Sequence, residues 1–65
     1  MWKKFDQIGI GEQFYFHFDK QSLWRYKKIS QFRVECIYSP ATETEQVGKI
    51  YDYKCPETWC KIMVD

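Results

Sequence analysis

Three cysteines, one histidine and a few carboxylates are the residues of this 65-residue chain that could do chemistry. Cys55 and Cys60 are separated by Pro56-Glu57-Thr58-Trp59, and Cys36 and His17 would complete a set of four sulfur and nitrogen donors. Zinc requires such a set within about 2.0–2.3 Å in a tetrahedral array. Parity argues against it. His17 has the outer parity of its alternating segment and Cys36 the inner parity of its own, so the two cannot converge on one ion. Cys55 and Cys60 flank a turn and could form a disulfide. Three is an odd number, however, and no basic region followed by an apolar stretch opens the chain. A reducing, cytoplasmic setting with three free, small apolar cysteines is the expectation.

Nucleophilic or acid–base catalysis is equally poorly provided for. A Cys–His pair needs a thiolate activated by a base in a cleft, and the single histidine is expected on an open sheet face. Glu43 and Glu45 stand in a polar stretch and read as solvating charges. Gly9-Ile10-Gly11 lacks the strand, helix and spacing of a dinucleotide-binding loop. No enzyme activity, metal or cofactor is expected.

Binding is the remaining class. Lys20, Arg25, Lys27, Lys28 and Arg33 form a basic cluster on neighbouring segments, with Tyr15 and His17 beside them. Tyr15, His17, Arg25, Lys27 and Arg33 are the candidate binding surface. Ten Lys or Arg against nine Asp or Glu give a net charge of +1, which exerts no global pull toward nucleic acid or an anionic membrane. A protein partner is therefore the leading expectation. The alternative is single-stranded nucleic acid, gripped by a basic groove with aromatic platforms. An exposed edge strand would allow a monomer or a weak homodimer. No apolar run approaches the roughly 20 residues of a membrane-spanning helix.

These side chains need elements to hold them. Gln13 to Asp19 alternates strictly, with Phe14, Phe16 and Phe18 on one parity and Gln13, Tyr15, His17 and Asp19 on the other. That is the period of a strand with one buried face. A three-residue loop at Lys20–Ser22 would place Phe16 opposite Tyr26, Phe18 opposite Trp24, His17 opposite Arg25 and Tyr15 opposite Lys27. That register keeps the aromatics on the inner face. Lys28 then has inner parity and belongs at the rim or beside a bulge. Phe32, Val34, Cys36 and Tyr38 form the next inner set, Ser39 to Gly48 a long polar loop, and Lys49 to Cys55 a fourth strand through Tyr51 and Tyr53. Trp59 to Val64 closes the chain with Cys60, Ile62 and Val64 on one parity. Phe5 to Ile8 is a single helical turn.

Thirteen aromatic residues, each able to bury about 150–250 Å², compensate for the small size of one domain spanning 1–65. Five short strands with short connections predict an all-β fold, an antiparallel meander curled into a small five-stranded SH3-like barrel. Its expected core is Phe5, Ile8, Phe14, Phe16, Phe18, Trp24, Tyr26, Phe32, Val34, Cys36, Ile62 and Val64.

The opening Phe5-Asp6-Gln7-Ile8-Gly9-Ile10-Gly11-Glu12-Gln13-Phe14 resembles the F-x-x-(I/L)-x-x-G-(E/D)-x-F start of many short bacterial and phage proteins. Lys28-Ile29-Ser30 is similar to the K-I-S end of their aromatic strand. Pro56-Glu57-Thr58-Trp59-Cys60-Lys61-Ile62 is similar to their P-x-T-x-V-x-V close. The resemblance implies a small β-barrel and assigns no activity and no catalytic residue.

Overall fold

Residues 1–40 and 46–63 are described by the computed structural model, and they form an all-β, antiparallel sheet. Its strands are β1 (Trp2–Lys4), β2 (Gln13–Phe16), β3 (Arg25–Ser30), β4 (Arg33–Tyr38), β5 (Ile50–Asp52) and β6 (Trp59–Ile62), with a 3-10 turn at Phe5–Gln7. The spatial order is β1-β6-β2-β3-β4-β5. Two expectations are corrected by this order. The described residues form six strands rather than five, because Trp2–Lys4 pairs with β6. The chain is also no simple meander, since β6 returns to insert between β1 and β2.

The sheet curls but does not close into a barrel. β1 and β5 are its two edges, yet Phe5, just after β1, meets Tyr53, just after β5, with ring centroids 5.0 Å apart. Among the described residues the two edges are not paired as strands, and aromatic packing joins them instead.

The core sits on the concave face, and the period-two pattern explains its membership. Phe14 and Phe16 from β2, Val34 and Cys36 from β4, and Cys60 and Ile62 from β6 are all buried. The 3-10 turn adds Phe5 and Ile8, held by Phe5 N–H donating to the Thr58 carbonyl at 2.8 Å and Asp6 N–H to that of Pro56 at 3.1 Å. Phe5 meets Phe14 edge-on at 5.9 Å and Phe14 meets Phe16 at 5.1 Å. Edge-to-face pairs of this kind add about 0.5–1.5 kcal/mol each beyond area burial.

Several expected core residues lie elsewhere. Phe18 is 60% exposed and Phe32 39%, because both fall in turns beyond the strand ends, where parity no longer fixes direction. Trp24 is half-buried, and so is Tyr26, which nonetheless packs against the core as expected. Val64 falls outside the described residues, as does 41–45 of the long loop with Glu43 and Glu45.

Lys28 takes a core position instead. Only 3% of it is exposed. Its Nζ donates to the Phe5 carbonyl at 2.8 Å and lies 4.5 Å from the Phe5 ring centroid. The register shift between Lys28 and Ser30 places it beside a bulge, as its parity requires. Burial holds its amine below the usual lysine range, against the opposing pull of Asp6, Cys60 and Glu12. Gly11, at φ +95°, makes the turn into β2, and its N–H donates to the Lys28 carbonyl at 2.7 Å.

Candidate functional site

The convex face of the sheet carries the complementary parity, and the register arranges it in rows across the strands. Trp2 pairs with Lys61 and Lys61 with Tyr15. Gln13 opposite Lys27 and Phe14 opposite Tyr26 bring Tyr15 across from Arg25, and Arg25 in turn pairs with Tyr38. One row therefore reads Trp2, Lys61, Tyr15, Arg25, Tyr38, with rings and cations alternating across β1, β6, β2, β3 and β4. Neighbouring strands lie about 4.7–4.9 Å apart, so an aromatic platform recurs roughly every 10 Å with a cation between.

The Arg25 guanidinium is held within this row. It lies 5.8 Å from the Tyr15 ring centroid and 5.7 Å from that of Tyr38, and Nη2 donates to the Tyr15 hydroxyl at 3.2 Å. Its Nε is buried with no hydrogen-bond partner among the described residues. Trp2 and Tyr38 are each 54% exposed. The adjoining row holds Lys4, Trp59 and His17: Lys4 pairs with Trp59, its Nζ 5.6 Å from the indole centroid. His17 N–H donates to the Trp59 carbonyl at 3.0 Å.

Of the sequence-predicted surface, Tyr15, His17 and Arg25 come together here. Lys27 lies one row away, opposite Glu35, with Nζ 3.8 Å from that carboxylate. Arg33 is on the same face but at its far side, where Nε reaches Asp52 at 3.1 Å. Lys28 leaves the cluster for the core. The hairpin register also differs from expectation by two residues, pairing Tyr15 with Arg25 instead of Lys27. The cause is local. Asp19 N–H donates to the Phe16 carbonyl at 3.1 Å, Ser22 N–H to that of Asp19 at 3.0 Å, and the Asp19 carboxylate accepts Trp24 N–H at 2.7 Å. The connection therefore begins at Phe16, and Ser22 adopts φ +54° within it.

Trp2, Lys4, Tyr38, Trp59 and Lys61 were not in the predicted set. The parity of Trp59 and Lys61 against Cys60 and Ile62 was a usable signal for two of them. Tyr38 has the inner parity of its segment and was expected inside. The register shift between Arg25 and Tyr26 turns it outward.

Among the described strands the outer face carries an excess of cations. Lys4, Arg25, Lys27, Arg33 and Lys61 stand on the outer face against Glu35 and Asp52, although the whole chain is balanced at +1. The concave side presents a different surface, a groove of about 340 Å³ lined by Phe16, Phe18, Asp19, Trp24 and Tyr26. It is apolar, with one carboxylate and no cation.

The cysteines sit apart from both. Cys36 and Cys60 are buried and Cys55 is exposed, all as free thiols. Burial pushes the Cys60 thiol up to about 12 and the Cys36 thiol upward, which keeps both protonated at neutral pH. Among the described residues no group of three or more His, Cys, Asp or Glu is placed to hold a metal, and no helix is long and apolar enough to cross a membrane. No family model, curated protein or solved structure matches the chain, so a functional reading rests on this surface.

Proposed function

We propose that the protein is a non-catalytic binding module for single-stranded nucleic acid, which lies across the strands on the outer face. The observation that carries this reading is the row Trp2, Lys61, Tyr15, Arg25, Tyr38. Bases stack on aromatic platforms at about 1–3 kcal/mol each while neighbouring cations track the phosphates. The balanced overall charge favoured a protein partner at the level of composition. The uneven distribution of that charge, and three rings where parity had supplied only Tyr15, favour nucleic acid. A duplex would hide its base faces from these rings.

A protein partner is the second reading, favoured by the apolar concave groove, in which Phe18 is largely exposed. The β5 edge, where Ile50 is 59% exposed, would serve a weak homodimer in the same reading.

Fluorescence anisotropy with a labelled ten-nucleotide single strand tests the proposal. Lys4, Arg25 and Lys61 form no ion pair among the described residues, so about three phosphates are neutralised. A slope of about −0.7 per phosphate then gives roughly −2 in log K against log salt, a fall of roughly 15- to 20-fold between about 50 and 200 mM. Arg25→Glu with Lys61→Glu removes binding in a protein that remains folded. A salt-independent affinity, or no binding at the lower salt, overturns the proposal.

A further inference from the structure

At the β1 end of the outer row a cleft of about 220 Å³ opens between the sheet and the loop after β2, lined by Trp2, His17, Asp19, Lys20, Ser22 and Lys61. We propose that this cleft is a pocket for one unstacked nucleotide of the bound strand, its base against the Trp2 indole and its phosphate on Lys20 and Lys61. The proposal rests on the nucleic-acid reading and deepens it.

Size, charge and available polar atoms point the same way. Pockets for drug-sized ligands run from roughly 300 to 1,000 Å³, so this smaller space suits a single planar ring system. Two lysines face one carboxylate, and that carboxylate already accepts Trp24 N–H at 2.7 Å. The balance therefore favours an anion. His17 Nδ1 stands 3.2 Å from the Trp59 carbonyl. A carbonyl only accepts, so Nδ1 donates to it and Nε2 is the ring nitrogen left to meet a base edge. The Ser22 hydroxyl adds a group that can donate or accept. Trp2 and Lys61 belong to the cleft and the outer row alike, which makes the pocket continuous with the path of the strand. The concave groove offers rings without a cation and has no means to hold a phosphate.

The test is an amide chemical-shift titration of the full chain with adenosine and uridine 5′-monophosphates, with inorganic phosphate as a control, and then with the ten-nucleotide strand. The expected result is a set of mononucleotide shifts at Trp2, His17, Lys20, Ser22 and Lys61 larger than phosphate alone produces. Lys20→Ala, a change at an exposed loop position, should weaken mononucleotide binding at least threefold and strand binding by a similar factor. Strand-induced shifts along the outer row at Trp2, Lys61, Tyr15, Arg25 and Tyr38, with His17, Lys20 and Ser22 unmoved by both ligands, would overturn the pocket and leave the proposed function standing. Shifts at the cleft alone would support the pocket and overturn the outer row as the strand's path. Silence at both places would overturn both. Equal shifts from phosphate and mononucleotide would reduce the cleft to an anion site and overturn the base-binding claim.

Discussion

Replacing Lys28 by methionine should leave the protein about as stable as it is, although this side chain is buried and bonded. Methionine keeps most of the aliphatic stem and removes the charge. The losses are the bond from Nζ to the Phe5 carbonyl at 2.8 Å and the contact 4.5 Å from the Phe5 ring. Hydrogen bonds to charged groups are worth about 1.5–3 kcal/mol, and a desolvated cation–π contact about 2. Against them stands removal of the ammonium from water. Burial holds the amine pKa below the usual lysine range despite the pull of Asp6, Cys60 and Glu12, so desolvation of the ammonium opposes both contacts. The Phe5 carbonyl is not orphaned either, because it also accepts Ile8 N–H at 3.2 Å. Lys28→Met should therefore fall within about 1 kcal/mol of the parent. Lys28→Ala also deletes three buried methylenes at about 0.8 kcal/mol each and should be destabilised by about 2–3 kcal/mol. The sign with pH follows from linkage. A depressed lysine pKa means that the unfolded chain binds more protons as pH approaches 10.5, so the cost of burying the charge is full at neutral pH and relieved upward. Any advantage of methionine should shrink between pH 7 and 10. Urea unfolding followed by tryptophan fluorescence measures both differences. A loss of 3 kcal/mol or more for Lys28→Met at pH 7 would refute the reasoning, since the ammonium would then be a net source of stability.

Alkaline pH should unfold the protein through its buried acids. Burial pushes the Cys60 thiol up to about 12 and the Tyr26 phenol to about 12. The unfolded chain releases these protons first, so stability falls as pH rises from about 9 to 12. Cys60→Ala should delay the onset toward pH 10, as judged by urea midpoints across that range. Gly11→Ala should destabilise the protein by about 1–2 kcal/mol through backbone strain alone, because φ is +95° and an added Cβ meets nothing within 4 Å. An unchanged urea midpoint in that variant would contradict the assigned turn.

Much of this arrangement could be read from alternation. Phe14 with Phe16, Val34 with Cys36, and Cys60 with Ile62 are buried where period two places them, and the helical turn after Lys4 begins at Phe5. The hairpin register escaped because a slide of two residues preserves every parity. Only the Asp19 bonds to Phe16, Ser22 and Trp24 distinguish the two alignments. β1 escaped because Trp-Lys-Lys carries no alternation, and its partner β6 lies at the other end of the chain. The outer row was consequently half visible. Tyr15 and Arg25 follow from parity, whereas Trp2 and Lys61 join them only when β6 inserts between β1 and β2. Tyr38 joins them only through an irregularity in the β3–β4 ladder.

The measurement that bears most directly on the outer face is an amide chemical-shift map of the full chain with the ten-nucleotide single strand at about 50 mM salt. Contiguous shifts are expected at Trp2, Lys61, Tyr15, Arg25 and Tyr38, fading at about 200 mM salt as counterions compete for the phosphates, with Phe18, Trp24 and Tyr26 unmoved. Shifts confined to the concave groove, or none at the lower salt, would contradict it.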